Sequence, residues 1–281
     1  MFYKNGHNIY SKLKKHTWKQ TKQVVNYLIS GRSKKVIFIV GCQRSGTTML
    51  QNVFSNDWRT RIFSERNKIT NKRKNSLRLK NETKLSKSLE NISSSLLILK
   101  PLAETQSINE YNERISNSHV LFLYRNYKDV ANSYVKAFNG VVSKDVKSIL
   151  NINPSKKWLY ESLEKSSRNV IRKYHQNDIN NYEKACLVWC ARNIAFLHQN
   201  IASRADTLML KYENFVNDPE ESIQQIYEFL NVRPPCYRIT KGVYSKSIGK
   251  GESIDISKDI ERLCEEILQL MDKKKVTNRN S

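Results

Sequence analysis

The chain has 281 residues, of which 39% are hydrophobic, a size that fits one large α/β domain with insertions or two small ones. No stretch approaches the roughly 18 apolar residues that span a bilayer, and the N-terminus lacks the apolar core and cleavage site of a secretory signal. The net charge of +23 attracts polyanions, which leaves nucleic acid, an anionic membrane surface, and small phosphorylated or sulfated molecules as partners.

Residues 1–35 read as a basic leader, in which Val24, Val25, Leu28 and Ile29 predict a short helix ending at Gly31. Residues 36–272 read as the main domain. The run Val36 to Val40 is continuously apolar and β-branched, the pattern of a strand buried on both faces. A polar turn, Gly41 to Thr48, follows, and Met49, Leu50, Val53 and Phe54 then recur at helical spacing. Thr60 to Phe63 predicts a short strand. Arg66 to Lys87 is rich in Lys and Arg, with Glu82 its one acid, and reads first as a solvated surface insertion and second as a surface for an acidic acceptor.

Further buried strands are expected at Ser95 to Leu99, His119 to Tyr124 and Ala205 to Leu210. A helix is expected over Tyr127 to Phe138, with Val130, Tyr134 and Phe138 as its apolar stripe. Residues 154–202 read as two helical segments broken near Asn177 to Asn181. Asp218-Pro219-Glu220-Glu221 predicts a helix start, with Asp218 as cap, Pro219 at the first position and Glu221 closing a capping box. A last helix is expected over Ser257 to Met271, followed by a basic tail at 273–281.

Strands alternating with helices predict a three-layer α/β fold, a mostly parallel sheet flanked by helices. In such sheets ligands bind beyond the carboxyl ends of the strands, so the loops after Val40, Leu99, Tyr124 and Leu210 are the places for chemistry. Five cysteines, Cys42, Cys186, Cys190, Cys236 and Cys264, are odd in number and irregular in spacing. That is no disulfide framework, and it points to a reducing cytoplasm. Cys186 and Cys190 lie four apart and read as small core residues, because no second pair of ligands stands at metal-binding spacing.

The loop Gly41-Cys-Gln-Arg-Ser-Gly-Thr-Thr48 lies between a buried strand and a helix. A glycine-bearing turn there turns backbone N–H groups onto an anion, and the helix N-terminus adds partial positive charge. Thr47 and Thr48 contribute hydroxyls and Arg44 a fixed charge. The unit is of P-loop type, yet Thr47 stands where the nucleotide loop G-x-x-x-x-G-K-[ST] carries its lysine.

At these residues the chain resembles the sulfotransferase family. Arg44-Ser45-Gly46-Thr47-Thr48 after an apolar strand is similar to the 5′-phosphosulfate loop of its carbohydrate and tyrosylprotein branches. Tyr124-Arg-Asn-Tyr-Lys-Asp-Val-Ala-Asn-Ser133 resembles its second motif, a strand, an arginine, and a serine eight residues later. The resemblance implies that Arg125 and Ser133 hold the 3′-phosphate of 3′-phosphoadenosine 5′-phosphosulfate. Leu210 to Phe215, then Asp218-Pro219, looks like the family's strand–Tyr-Glu segment, which puts Tyr212 near the adenosine. Ser247-Ile-Gly-Lys250 resembles the basic loop over the 3′-phosphate, with Ser247 and Lys250 as its contacts.

The implied activity is sulfuryl transfer to an acceptor hydroxyl without a metal, with Arg44 and the loop N–H groups meeting charge on the leaving phosphate. A proton acceptor is also needed. Glu65 lies 21 residues after Arg44, the offset of the general base in the tyrosylprotein branch. That branch's cysteine–glycine pair and second glutamate are missing here. The cytosolic branch has a histidine after a later strand; here Lys100 follows Leu99 and is expected at the sulfuryl group or the donor bridge. The acceptor stays open among glycans, lipids and small metabolites, as does peripheral membrane contact by residues 1–35. Two other readings compete. A P-loop nucleotide-dependent phosphotransferase needs the absent loop lysine. A polyanion- or nucleic-acid-binding protein needs basic residues interleaved with stacking aromatics, and the densest basic run, 66–87, is nearly free of aromatics.

Overall fold

The computed structural model describes residues 21, 34–65, 69, 79–152, 159, 160, 163–175 and 178–277. The expected leader helix and most of the basic 66–87 stretch lie outside the described residues.

Five strands form one parallel sheet: β1 (Lys35–Gly41), β2 (Thr60–Phe63), β3 (Leu96–Leu99), β4 (Ser118–Tyr124) and β5 (Thr207–Lys211). Their order is β2-β3-β1-β4-β5. Every predicted strand is present, with ends shifted by a residue or two. From residue 34 on, the described residues also form helices α1 (Thr47–Ser55), α2 (Glu82–Glu90), α3 (Ile108–Arg114), α4 (Tyr127–Phe138), α5 (Val142–Ile149), α6 (Lys165–Tyr174), α7 (Asn181–His198), α8 (Tyr212–Asn217), α9 (Pro219–Phe229) and α10 (Lys258–Thr277), together with short 3₁₀ turns.

The strands alternate between two cores, as a pleated sheet covered on both faces requires. Ile37, Ile39, Ile98, Leu121 and Leu123 pack with α1, α8 and α9. Val36, Phe38, Val40, Leu97, Leu99 and Phe122 pack with α3, α4, α5, α7 and α10. The result is the three-layer α/β architecture. Phe38 and Phe122 are fully buried, so truncating either to alanine costs about 3–5 kcal/mol.

Several local expectations need correction. The last helix does not stop at Met271: α10 runs on to Thr277, into the expected tail. Asp218 does cap α9 by accepting from the Glu221 N–H at 3.1 Å, but no return bond from the Glu221 side chain is found among the described residues. The reciprocal box instead opens α7, where Asn180 accepts from Glu183 N–H and the Glu183 carboxylate accepts from Asn180 N–H at 2.8 Å. Helices α2, α3, α5 and α8 were not anticipated, because each is short and α8 begins directly where β5 ends. Phe138 is not core: it is 38% exposed, whereas Val130 and Tyr134 are buried. His119 is half-buried against the edge of the Phe229 ring, at the strand end remote from the loops, which makes it structural. No described helix is long and apolar enough to cross a membrane.

The strand order places the site. From β1 the chain moves outward to β2 and returns through β3, then crosses to β4 on the other side. The reversal leaves a crevice beyond the carboxyl ends of β1 and β4, where Gly41 is paired with Leu123.

Candidate functional site

β1 ends in the loop that starts at Gly41, whose carbonyl accepts from the Thr105 hydroxyl at 3.2 Å. Ser45 N–H donates to the Cys42 carbonyl at 3.2 Å and closes the turn. Arg44 and Gly46 both take positive φ, 72° and 95°. At Gly46 this is compulsory twice over: the backbone favours glycine, and a Cβ would lie 2.3 Å from Cδ2 of Tyr212. Helix α1 then starts with no side-chain cap and no acid in its first turn. Its N–H groups and dipole are left for an anion.

The Ser45 side chain departs from expectation. It is fully buried, its hydroxyl has no partner among the described residues, and it lines neither of the clefts described below. Only its main chain belongs to the turn. Cys42, beneath the loop, is fully buried, and burial pushes its thiol up to about 12, so it remains neutral.

Arg125 leaves the end of β4, its carbonyl held by the indole N–H of Trp189 from α7 at 3.1 Å. Its guanidinium lies 4.4 Å above the Tyr212 ring. Nη2 stands 3.2 Å from the Asp129 carboxylate and donates to the Ser247 carbonyl at 2.5 Å. Nη1 reaches the Arg44 carbonyl at 3.5 Å. The Nε of Arg125 is buried and has no hydrogen-bond partner among the described residues. Ser133, two turns along α4, accepts from Arg44 Nε at 2.9 Å. The two sequence motifs are therefore in direct contact. Tyr212 and Ser247 share a hydroxyl–hydroxyl hydrogen bond of 2.5 Å. Glu213 accepts from Asn126 N–H at 2.9 Å and so braces the turn after β4.

Two adjoining clefts result. The first, of about 350 Å³, is lined by Arg44, Gly46, Thr47, Thr48, Glu65, Lys100, Arg125, Ser133, Tyr212 and Ser247, with Gln43, Met49, Leu102 and Phe138. The second, of about 440 Å³, shares Arg44, Arg125, Ser133 and Ser247 and adds Asp129, Asn132, Lys136, Ala137 and Lys250. Lys100 is buried and forms an ion pair of 2.8 Å with Glu65, and it donates to Thr48 Oγ1 at 3.0 Å. That contact joins the ends of β2, β3 and α1. All candidate residues except Ser45 thus line one crevice.

Sequence reasoning missed Phe138, Lys136, Asp129 and Asn132. Phe138 sits 6.0 Å from the Arg44 guanidinium. A signal was available for two of them: Asp129 stands four residues after Arg125 and Lys136 three after Ser133, spacings that share a helix face. Arg44, Lys100, Arg125, Lys136 and Lys250 outnumber Glu65 and Asp129 across the clefts, which suits a multiply charged anion. No group of three His, Cys, Asp or Glu side chains that could hold a metal is found among the described residues.

A sulfotransferase domain profile matches residues 34–247. A search of curated proteins by sequence found no match. Among solved structures, the sulfotransferase domain from the curacin biosynthetic pathway is 16% identical with a TM-score of 0.55, covering 86% of this chain and 99% of its own, which shows a shared fold. The sulfotransferase domain from the Synechococcus PCC 7002 olefin synthase is 16% identical at a TM-score of 0.49, covering 85% and 96%. A sulfotransferase from Alicyclobacillus acidocaldarius is 16% identical at 0.46, covering 89% and 96%. With the domain match extending over most of its length, this chain belongs to the sulfotransferase family, the transferases that take a sulfuryl group from 3′-phosphoadenosine 5′-phosphosulfate.

Proposed function

We propose that the two clefts hold the donor end to end, and that Glu65 is the base that accepts the acceptor's proton. The phosphosulfate end goes to the loop of Arg44, Gly46, Thr47 and Thr48, and the 3′-phosphate end to Arg125, Ser133 and Lys250. The observation that carries this reading is the contact between the two motifs: Arg44 Nε donates to Ser133 Oγ at 2.9 Å, and one continuous crevice runs past both arginines. Tyr212, beneath the Arg125 guanidinium, forms the wall between the ends.

When bound, the donor supplies a sulfuryl group whose bond to the 5′-phosphate oxygen breaks as the acceptor oxygen bonds to sulfur. The chain's residues act around that exchange. Arg44 and the first-turn N–H groups of α1 meet the charge that collects on the leaving phosphate. Lys100, seated between Thr48 and Glu65, reaches the same place from β3. Glu65 is partly exposed at the cleft and takes the proton of the attacking hydroxyl. Met49, Leu102 and Phe138 give the mouth an apolar side.

The acceptor is a hydroxyl of a small metabolite or glycan. Support comes from the size and openness of the first cleft and from its mixed apolar and charged wall. Cytoplasmic residence is supported by five free thiols, with Cys190 and Cys264 sulfurs 3.5 Å apart in a hydrogen bond. Residues 36–272 act as one catalytic unit, since both cores and both clefts draw on strands and helices from its whole length.

Calorimetry with 3′-phosphoadenosine 5′-phosphate tests the assignment. Arg44→Ala and Ser133→Ala each remove a polar partner, and losses of about tenfold or more for the arginine and severalfold for the serine are expected. If neither substitution weakens binding, the two motif assignments fail.

A further inference from the structure

We infer that Asp129 is a positioning residue that makes the donor site selective for the 3′-phosphate, although it is itself an anion in an anion site. The inference rests on the donor reading above. Asp129 is only 4% exposed, yet it lines the second cleft, where an incoming phosphate meets its like charge. A carboxylate in that place is unfavourable unless its oxygens are turned to other work.

They are. One oxygen of Asp129 lies 3.2 Å from Arg125 Nη2 and accepts from Gly249 N–H at 3.1 Å. The other accepts from Gly251 N–H at 2.9 Å. A single carboxylate thus joins the arginine at the end of β4 to the loop 247–251, which is far away in sequence. The neighbouring turn of α4 repeats the grip: Asn132 Nδ2 donates to the Lys250 carbonyl. Gly251 seats directly on α4, where a Cβ would lie 2.2 Å from the Lys128 carbonyl oxygen. The loop is therefore pinned on both sides of Lys250, and its carbonyl at Ser247 returns to the same Arg125.

The consequence is a division of labour. Asp129 neutralises part of Arg125 and contributes nothing attractive to the phosphate itself. It fixes the direction of the guanidinium and the height of the loop, so that Arg125, Ser133 and Lys250 converge on one place. Without it, Arg125 keeps its charge but loses its direction, and the loop loses two of its backbone anchors. Discrimination between donors with and without the 3′-phosphate then falls, while the loop after β1 is untouched.

The test compares binding of 3′-phosphoadenosine 5′-phosphate and of adenosine 5′-phosphate by calorimetry, in wild type and Asp129→Asn. The full chain is used, and thermal melting monitors folding. Asp129→Asn is expected to weaken the bisphosphate by about tenfold to a hundredfold and the monophosphate by less than about threefold. KM for the donor rises while kcat falls far less. Should Asp129→Asn fold poorly, Gly251→Ala lifts the loop from α4 without altering the carboxylate, and the same selective loss is expected. Equal weakening of both nucleotides, or no weakening of either, overturns the inference while leaving the donor reading intact. A wild type that does not prefer the bisphosphate overturns the donor reading, and this inference with it.

Discussion

The two ends of the crevice are built on opposite plans. The loop end is a contiguous stretch, Gly41 to Thr48, that makes its anion cradle from backbone, positive φ angles and an uncapped helix start. The far end is assembled from side chains on separate elements: Arg125 after β4, Asp129 and Ser133 on α4, and the 247–251 loop before α10. A cradle built mainly from backbone tolerates few changes of shape and has few side chains to lose, Arg44 first among them. A side-chain cradle tolerates substitution in small steps, each with its own loss of affinity. The ion pair of Glu65 with Lys100 stands at the loop end alone. On the proposed reading, chemistry belongs to the first end and donor affinity chiefly to the second.

Glu65→Gln should separate the two ends most sharply. Loss of the proton acceptor predicts a fall in kcat on the order of 10²- to 10⁴-fold with bisphosphate affinity near wild type. Intact turnover in that variant would move the base elsewhere. Arg125→Lys is next. It keeps the charge but loses the planar fork over Tyr212 and the contacts to Asp129 and Ser247, so bisphosphate binding should weaken by roughly 30- to 100-fold with kcat little changed. A kcat effect as large as the binding effect would blur the division. Gly46→Ala strains the loop end through its φ of 95° and its collision with Tyr212, and should lower folding stability by about 2–3 kcal/mol in denaturant titration. A silent Gly46→Ala would mean that the loop is not held as rigidly as its geometry requires. The smallest readout is chemical. Iodoacetamide should label Cys236, which is exposed, and spare Cys42, whose thiol is buried under the loop. Labelling of Cys42 in the native state would report a loop end that opens.

The contrast also explains what could be read from the sequence. Most of the sheet was legible because β1, β3 and β4 each hold an unbroken apolar run, as parallel strands buried on both faces do. The loop end was legible because its residues are consecutive and their chemistry is local. Arg125 and Ser133 were legible only through spacing and resemblance. Asn132 and Phe138 were not, and Asp129 was legible only as a neighbour of Arg125, since their roles depend on partners more than eighty residues away: Gly249 and Gly251 for Asp129, Lys250 for Asn132 and Arg44 for Phe138. Phe138 in particular carried the pattern of a core residue, and the stripe of α4 simply runs past the end of the core it covers. Ser45 lies within the motif, yet its side chain turns inward, which no local pattern announces.

The bond from Arg44 to Ser133 carries a thermodynamic implication. A hydroxyl from one cradle already occupies the guanidinium of the other, so filling either cradle alone disturbs the second. Fragments representing the two halves of the nucleotide should therefore show coupling when added together, with each altering the affinity of the other by the same factor. The intact molecule, spanning both, replaces that internal bond once and meets two partners already aimed at it.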